Sequence, residues 1–208
     1  MCGISATIVK NGDKNKYWDL LRASEIRGQD GTGYVYYKKL GQMYTRYQAA
    51  IKASDMPMKH PEVLHNGDVV IGQNRLSCFG LEVSNQQPLM LENTVLVHNG
   101  NLFDFESMFK ELNLPRQLEV DSELILRIYE EYHRLDAIYA LVKGNFACIL
   151  IDRKKKQIHA FTRDKPLCWY EDDSGIYLFS TVRIGQKVFG EKAEIHEMEN
   201  FSRRTFNF

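Results

Sequence analysis

Cys2 is the first residue whose type and position could do chemistry. Removal of Met1 would leave a thiol and a primary α-amine on one residue. An amine with an unperturbed pKa near ~8 can take the thiol proton at neutral pH, directly or through one water, so such a cysteine carries its own base, as N-terminal threonine nucleophiles do. No histidine is then required. Taken by itself, Cys2 reads more readily as an incidental cysteine than as a nucleophile. His98 could form a conventional pair with it, but alternation along a strand turns His98 away from the face that carries Asn99. His60 and His65 stand five apart, a poor helical chelate, and the other histidines lack ligand spacing, so neither a metal nor another cofactor is expected. Cys2, Cys78, Cys148 and Cys168 contain no CxxC pair, which argues against a zinc ribbon or a dense disulfide scaffold. Cys148 and Cys168 read as packed core residues.

These residues need a scaffold, and 208 residues are enough for one generous core. The apolar share of 44% excludes disorder as the main state. Twenty-seven basic and 27 acidic side chains cancel, so no global field recruits nucleic acid or an anionic membrane. The basic run Arg153 to Lys156 reads as a solvated turn. The longest apolar runs fall far short of the ~20 residues that span a bilayer. The first residues lack the pattern of a secretory signal, so the expected compartment is the cytoplasm.

The elements follow from periodicity and turn residues. A strand over 4–10 ends at Asn11-Gly12-Asp13, and a helix over about 16–26 stops at Gly28. Aromatic runs at 34–37 and 43–47 flank Leu40-Gly41 as a hairpin. Strands are predicted at 69–72 and 94–97. Phe105, Met108, Phe109 and Leu112, and then Ile125, Ile128, Tyr129 and Tyr132, repeat with helical period. Segments 146–152, 157–162, 167–170 and 176–179 read as an antiparallel meander, and 192–208 as a peripheral strand or tail. The run Phe146 to Ile151 is apolar on both faces, so its sheet must be covered on both sides. The expected fold is α+β, a four-layer αββα sandwich of two mainly antiparallel sheets. It forms a single domain over 1–208, with a core over about 2–180 and a C-terminal extension over about 181–208.

The ordered strings Cys2-Gly3-Ile4, Arg27-Gly28-Gln29-Asp30-Gly31-Thr32-Gly33, Gly72-Gln73-Asn74-Arg75-Leu76-Ser77, Gln87-Pro88-Leu89, His98-Asn99-Gly100 and Asp121-Ser122-Glu123-Leu124 resemble the class II glutamine amidotransferases. These are N-terminal-nucleophile hydrolases. Arg75-Leu76-Ser77 and Gln87-Pro88-Leu89 look most like the glutaminase domain of asparagine synthetases, although Asn101 stands where those usually have Glu. The phosphosugar-amidating synthases usually carry Arg-Trp-Ala-Thr-His where Arg75 is followed here by Leu76, Ser77, Cys78 and Phe79.

The resemblance implies that Cys2 attacks the side-chain amide of L-glutamine and forms a γ-glutamyl thioester, and that the Asn99 side chain and Gly100 N–H hold the oxyanion. Read locally, Asn99-Gly100 serves as well for a type I′ turn. Arg75 can offer a planar fork to the substrate carboxylate, or form an exposed salt bridge. Asp121 is implied for the substrate ammonium, with a helix N-cap as its rival. Gly28 borders the nucleophile, Leu76, Cys78 and Asn101 line the substrate site, and the segment 75–83, which carries Leu76 and Cys78, closes over glutamine. No P-loop or dinucleotide fingerprint occurs. The expected role is therefore a stand-alone glutaminase that supplies ammonia to a separate synthetase chain. The alternatives are a free-standing γ-glutamyl amide hydrolase, or a weak glutamine- or partner-binding pseudoenzyme.

Overall fold

The computed structural model describes residues 1–11, 14–38, 44–56, 64–77 and 82–208. The expected hairpin tip at Leu40-Gly41, together with His60 and Cys78, lies outside them. Two antiparallel sheets carry the chain. In the first, strands β1 (Gly3–Val9), β2 (Gly31–Tyr37), β3 (Tyr44–Ala49), β4 (Val69–Arg75), β9 (Cys168–Asp172), β10 (Gly175–Phe179) and β11 (His196–Glu197) are ordered β11-β9-β10-β1-β4-β2-β3. In the second, β5 (Leu89–Met90), β6 (Thr94–Leu102), β7 (Gly144–Asp152), β8 (Gln157–Arg163) and β12 (Arg203–Asn207) are ordered β12-β8-β7-β6-β5.

Alternation along each strand sorts side chains into layers. Ile4, Ala6 and Ile8 of β1, Val69 and Ile71 of β4, Val95 and Val97 of β6 and Ala147, Ile149 and Ile151 of β7 meet between the sheets. The other face of β6 to β8 presents Leu96, Phe146, Cys148, Leu150 and Phe161 to α3 (Ser122–Tyr132) and α4 (Leu135–Leu141), with α2 (Phe105–Glu111) beside them. The outer face of the first sheet is covered by α1 (Lys14–Ala23) and α5 (Val182–Phe189). The architecture is the αββα sandwich that the doubly apolar strand required.

Several boundaries differ from the sequence reading. The first helix gives way to a 3-10 turn at Ser24–Arg27 before Gly28. Strands β4 and β6 run on to Arg75 and Leu102, because polar residues at their ends still pair. The expected meander is two hairpins in different sheets: β7 and β8 pair in one, β9 and β10 in the other. Asp164, in left-handed conformation at φ 55°, stands where the chain leaves β8. The last residues are structural in both sheets, since β11 pairs with β9, β12 pairs with β8, and Phe206 is buried. Helix α4 went unforeseen; at seven residues it is too short to show a period.

Gly3 ties this scaffold to Cys2. A Cβ there would lie 2.5 Å from the carbonyl oxygen of Ser24, a backbone atom that cannot swing aside. Gly3→Ala is therefore expected to cost about 1–3 kcal/mol through overpacking, read as a lower urea midpoint at unchanged slope. A midpoint equal to that of the parent chain would show that the 3-10 turn yields.

Candidate active site

Cys2 sits one residue ahead of β1. The register Gly3↔Asn74 sets it beside Arg75, the last residue of β4. Parity with Ile4 and Ala6 turns its side chain toward the space between the sheets, and Sγ donates to the Leu76 carbonyl at 3.7 Å. The Cys2 carbonyl accepts from Arg27 Nε at 2.9 Å. Burial lowers the Arg27 guanidinium from its usual pKa, and Cys2 opposes that shift, since its thiolate would favour the cation. Gly28 is buried against the same segment: a Cβ there would lie 2.4 Å from the Arg75 carbonyl carbon and 2.6 Å from the Leu76 nitrogen. The Arg75 carbonyl accepts from Asp30 N at 2.9 Å, and Asp30 Oδ2 accepts from Ser77 N at 2.8 Å.

Opposite stands β6. Asn99-Gly100 lies inside this strand, paired with Ala147 and Phe146, so the hairpin-turn reading is overturned. Asn99 shares the parity of Val95 and Val97 and faces the inter-sheet space, where its Nδ2 is buried with no hydrogen-bond partner among the described residues. His98 takes the other face, as alternation demands, and its Nδ1 is 2.8 Å from Ser122 Oγ. Beyond β5 the outer edge of β6 has no strand partner among the described residues. Gln87 Oε1 accepts from His98 N at 2.5 Å, Gln73 Nε2 donates to the His98 carbonyl at 2.7 Å, and Asp121 Oδ2 accepts from Leu102 N at 2.9 Å. By the two-residue period, the Gly100 N–H points to this same edge. Gly100 itself has no room for a side chain, since a Cβ would lie 2.1 Å from the Asn145 carbonyl oxygen.

Asp121 occupies the N-cap position of α3 but makes no side-chain cap bond; its carboxylate bonds Leu102 N and accepts from Ser122 Oγ at 3.2 Å. The rival reading of Asp121 as a side-chain helix cap therefore fails. A cavity of about 60 Å³ brings together Cys2, Arg75, Leu76, His98, Gly100, Asn101, Asp121 and Ser122. Asn101 is exposed at this cavity, with its N–H on Asn145 Oδ1 at 3.2 Å. A larger concavity of about 640 Å³ shares Leu76 and is walled by Met1, Ile26, Arg27, Gly28, Thr181 and Arg183. The arrangement sets a thiol, a backbone N–H, a guanidinium and a carboxylate around one small space, and the Asn99 amide faces the inter-sheet layer from the residue before Gly100.

Comparison with known proteins now bears on this geometry. Residues 48–201 match the family described as the glutamine amidotransferase domain. The chain belongs to that family. It is 25% identical to the glutamine–fructose-6-phosphate aminotransferase of Helicobacter pylori strain J99 over 97% of this chain and 37% of that protein. It is 26% identical to 7-cyano-7-deazaguanine synthase 2 of Sulfurisphaera tokodaii over 88% of this chain and 43% of that protein. The relatives named here are not asparagine synthetases, the branch that two short strings suggested.

Among solved structures, a glutamine phosphoribosylpyrophosphate amidotransferase from B. subtilis superposes with TM-score 0.79 at 19% identity, over 99% of this chain and 47% of that one. The fold is thus that of the N-terminal-nucleophile hydrolases, and the domain is of class II. The amidotransferase domain spans less than half the length of these relatives. No helix among the described residues is long and apolar enough to cross a membrane.

Sequence reasoning missed the side chains that seal the β6 edge, Gln73, Gln87 and Ser122. Their signal was present in the quoted strings, but nothing in one sequence says which backbone group a glutamine meets. Burial pushes the His98 imidazole below its ordinary pKa, with Asp121 opposing. Unfolded histidine titrates near about 6.5, so below that pH the unfolded chain takes up a proton that the folded one refuses, and stability falls. The His98 ring resonances are accordingly expected to keep neutral-imidazole shifts in the folded domain at pH values where histidine of the unfolded chain is already protonated. Titration at 6.5 or above would overturn this.

Proposed function

We propose that the domain hydrolyses the side-chain amide of L-glutamine through a thioester on Cys2 and passes the ammonia to a synthetase unit that holds the acceptor. The single observation that carries the reading is that Cys2, Arg75, Gly100 and Asp121 line one small cavity.

With Met1 removed, the Cys2 α-amine takes the thiol proton and the sulfur attacks the amide carbon. Charge passes to the amide oxygen, which Asn99 Nδ2 and Gly100 N–H receive; both are fixed by β6 before the reaction begins, so little reorganisation opposes it. The ammonium returns its proton to the departing nitrogen, and the C–N bond breaks to give ammonia and the γ-glutamyl thioester. Water, giving its proton to the same amine, repeats the attack, and collapse releases glutamate and the thiol. Arg75 pairs with the substrate α-carboxylate and Asp121 with the α-ammonium, opposite charges set apart as the zwitterion requires.

Gly28 lets the loop after α1 lie against Arg75 and Leu76. The cavity is smaller than glutamine, so binding requires its wall to shift at Leu76, which is 43% exposed. Asn101 borders the entrance. Delivery of ammonia to a synthetase is supported by the relatives, whose names describe amidating or synthesising enzymes and whose remaining length lies outside the match. That unit is proposed as a partner chain.

Intact-mass analysis is expected to show loss of Met1 and one equivalent of label from an electrophilic glutamine analogue, with labelling and turnover both abolished in Cys2→Ala and behind an irremovable N-terminal tag. Turnover by either altered chain would refute the nucleophile. Asn99→Ala should lower kcat by about 10²–10³ with KM within a few-fold, since the donor acts in the transition state. Equal kcat in steady-state assays would remove Asn99 from the oxyanion site.

A further inference from the structure

Gln87 is buried where the sheets and α3 meet, and both ends of its amide are engaged. A backbone N–H can only donate, so the contact with His98 N fixes the oxygen end, and the nitrogen end then donates to Ser122 Oγ at 2.9 Å. Ser122 Oγ in turn lies 3.2 Å from Asp121 Oδ1 and 2.8 Å from His98 Nδ1. One side chain therefore joins the β6 edge, just ahead of Asn99 and Gly100, to the hydroxyl that bonds Asp121.

The Gln87 backbone is itself seated by the first sheet. A Cβ on Gly33 would lie 2.1 Å from the Gln87 carbonyl oxygen, so β2 leaves space for this segment through glycine. Gln48 Nε2, on the neighbouring β3, donates to the Pro88 carbonyl at 3.1 Å. Gln87 thus reports the position of the first sheet to the edge of the second and to the start of α3.

From this bridge we infer that Gln87, acting through Ser122, is a positioning residue that orients the Asp121 carboxylate for the substrate α-ammonium and fixes its separation from the oxyanion donors. The inference rests on the reading of Asp121 given under Proposed function. With Gln87 Nε2 donating to one lone pair of Ser122 Oγ and His98, in its Nδ1–H tautomer, donating to the other, the hydroxyl proton is left for Asp121 Oδ1, while Leu102 N–H holds Oδ2; the carboxylate is pinned at both oxygens and keeps its remaining lone pairs for the ligand. Without Gln87 one of the two donors that fix the rotation of the hydroxyl is gone, and that pin is loosened.

The test compares glutamine with 4-carbamoylbutanoate, which keeps the amide and the carboxylate but lacks the α-amine, in the wild type, Gln87→Met and Ser122→Ala. Both variants are expected to lose about tenfold in kcat/KM for glutamine, mostly through KM, with values for 4-carbamoylbutanoate unchanged within about twofold. A general loosening of the site would lower both substrates equally, and that result overturns the inference while leaving the function intact. Wild-type protein that hydrolyses neither amide overturns the reading of the site itself. Should Gln87→Met not fold, since it leaves the His98 N–H unpaired, Ser122→Ala removes only a hydroxyl and decides the matter alone.

Discussion

Strand β6 runs past its neighbour. β5 pairs only Leu89 and Met90, opposite Leu96 and Val95, while β6 continues to Leu102. From His98 onward its outer edge presents buried N–H and C=O groups that must be paired. Side chains do this work: Gln87 and Gln73 at His98, Asp121 at Leu102. Between these sealed positions the Gly100 N–H faces the cavity. A short edge strand thus converts a ladder of interchangeable amides into one exposed donor flanked by anchored ones, in surroundings dry enough for that donor to count.

The second constraint is parity between the sheets. Ile4, Ala6 and Ile8 meet Val95 and Val97 in the inter-sheet layer, and continuing each strand by its own period turns Cys2 and Asn99 into that layer too. At this end the layer changes from aliphatic to polar, with Gln73, Arg75 and Asn99 all buried. The glycines belong to the same logic. Gly3, Gly28 and Gly33 each stand where a Cβ would meet another segment's backbone within 2.5 Å. The polar end of the layer is therefore packed backbone to backbone, and Cys2 is held by main chain rather than by a flexible arm.

Much of this was legible beforehand. The doubly apolar run Phe146 to Ile151 demanded covering layers on both sides, and it received them. Alternation placed His98 opposite Asn99 without any coordinates. The turn signals were less informative, because Asn99-Gly100 has the composition of a hairpin yet is held in extended pairing by β7. Tertiary pairing overrode a strong local preference there. The sheet membership of β9 and β10 was hidden for a related reason: a strand's own sequence records that it is buried but not which neighbour buries it. The same holds for Gln73 and Gln87, whose partners are backbone atoms or a hydroxyl up to 35 residues away in sequence, and for Ser122, which meets the Gln87 amide and the His98 ring; all are fixed only by the fold.

Asp121 unites these threads. A carboxylate at the start of a helix would ordinarily turn to its own backbone amides, but here it reaches across to Leu102 N and leaves the α3 cap without a side-chain bond. The capping energy forgone, about 1 kcal/mol in typical cases, is offset by pairing a buried strand N–H that would otherwise cost at least as much. The same exchange points the carboxylate into the cavity. In the proposed role, a substrate ammonium drawn to Asp121 would pull on the group that clamps the end of β6, two residues beyond Gly100. Recognition of the α-amine and alignment of the oxyanion donor then share one rigid part, and a ligand that engages the first presses the second into register.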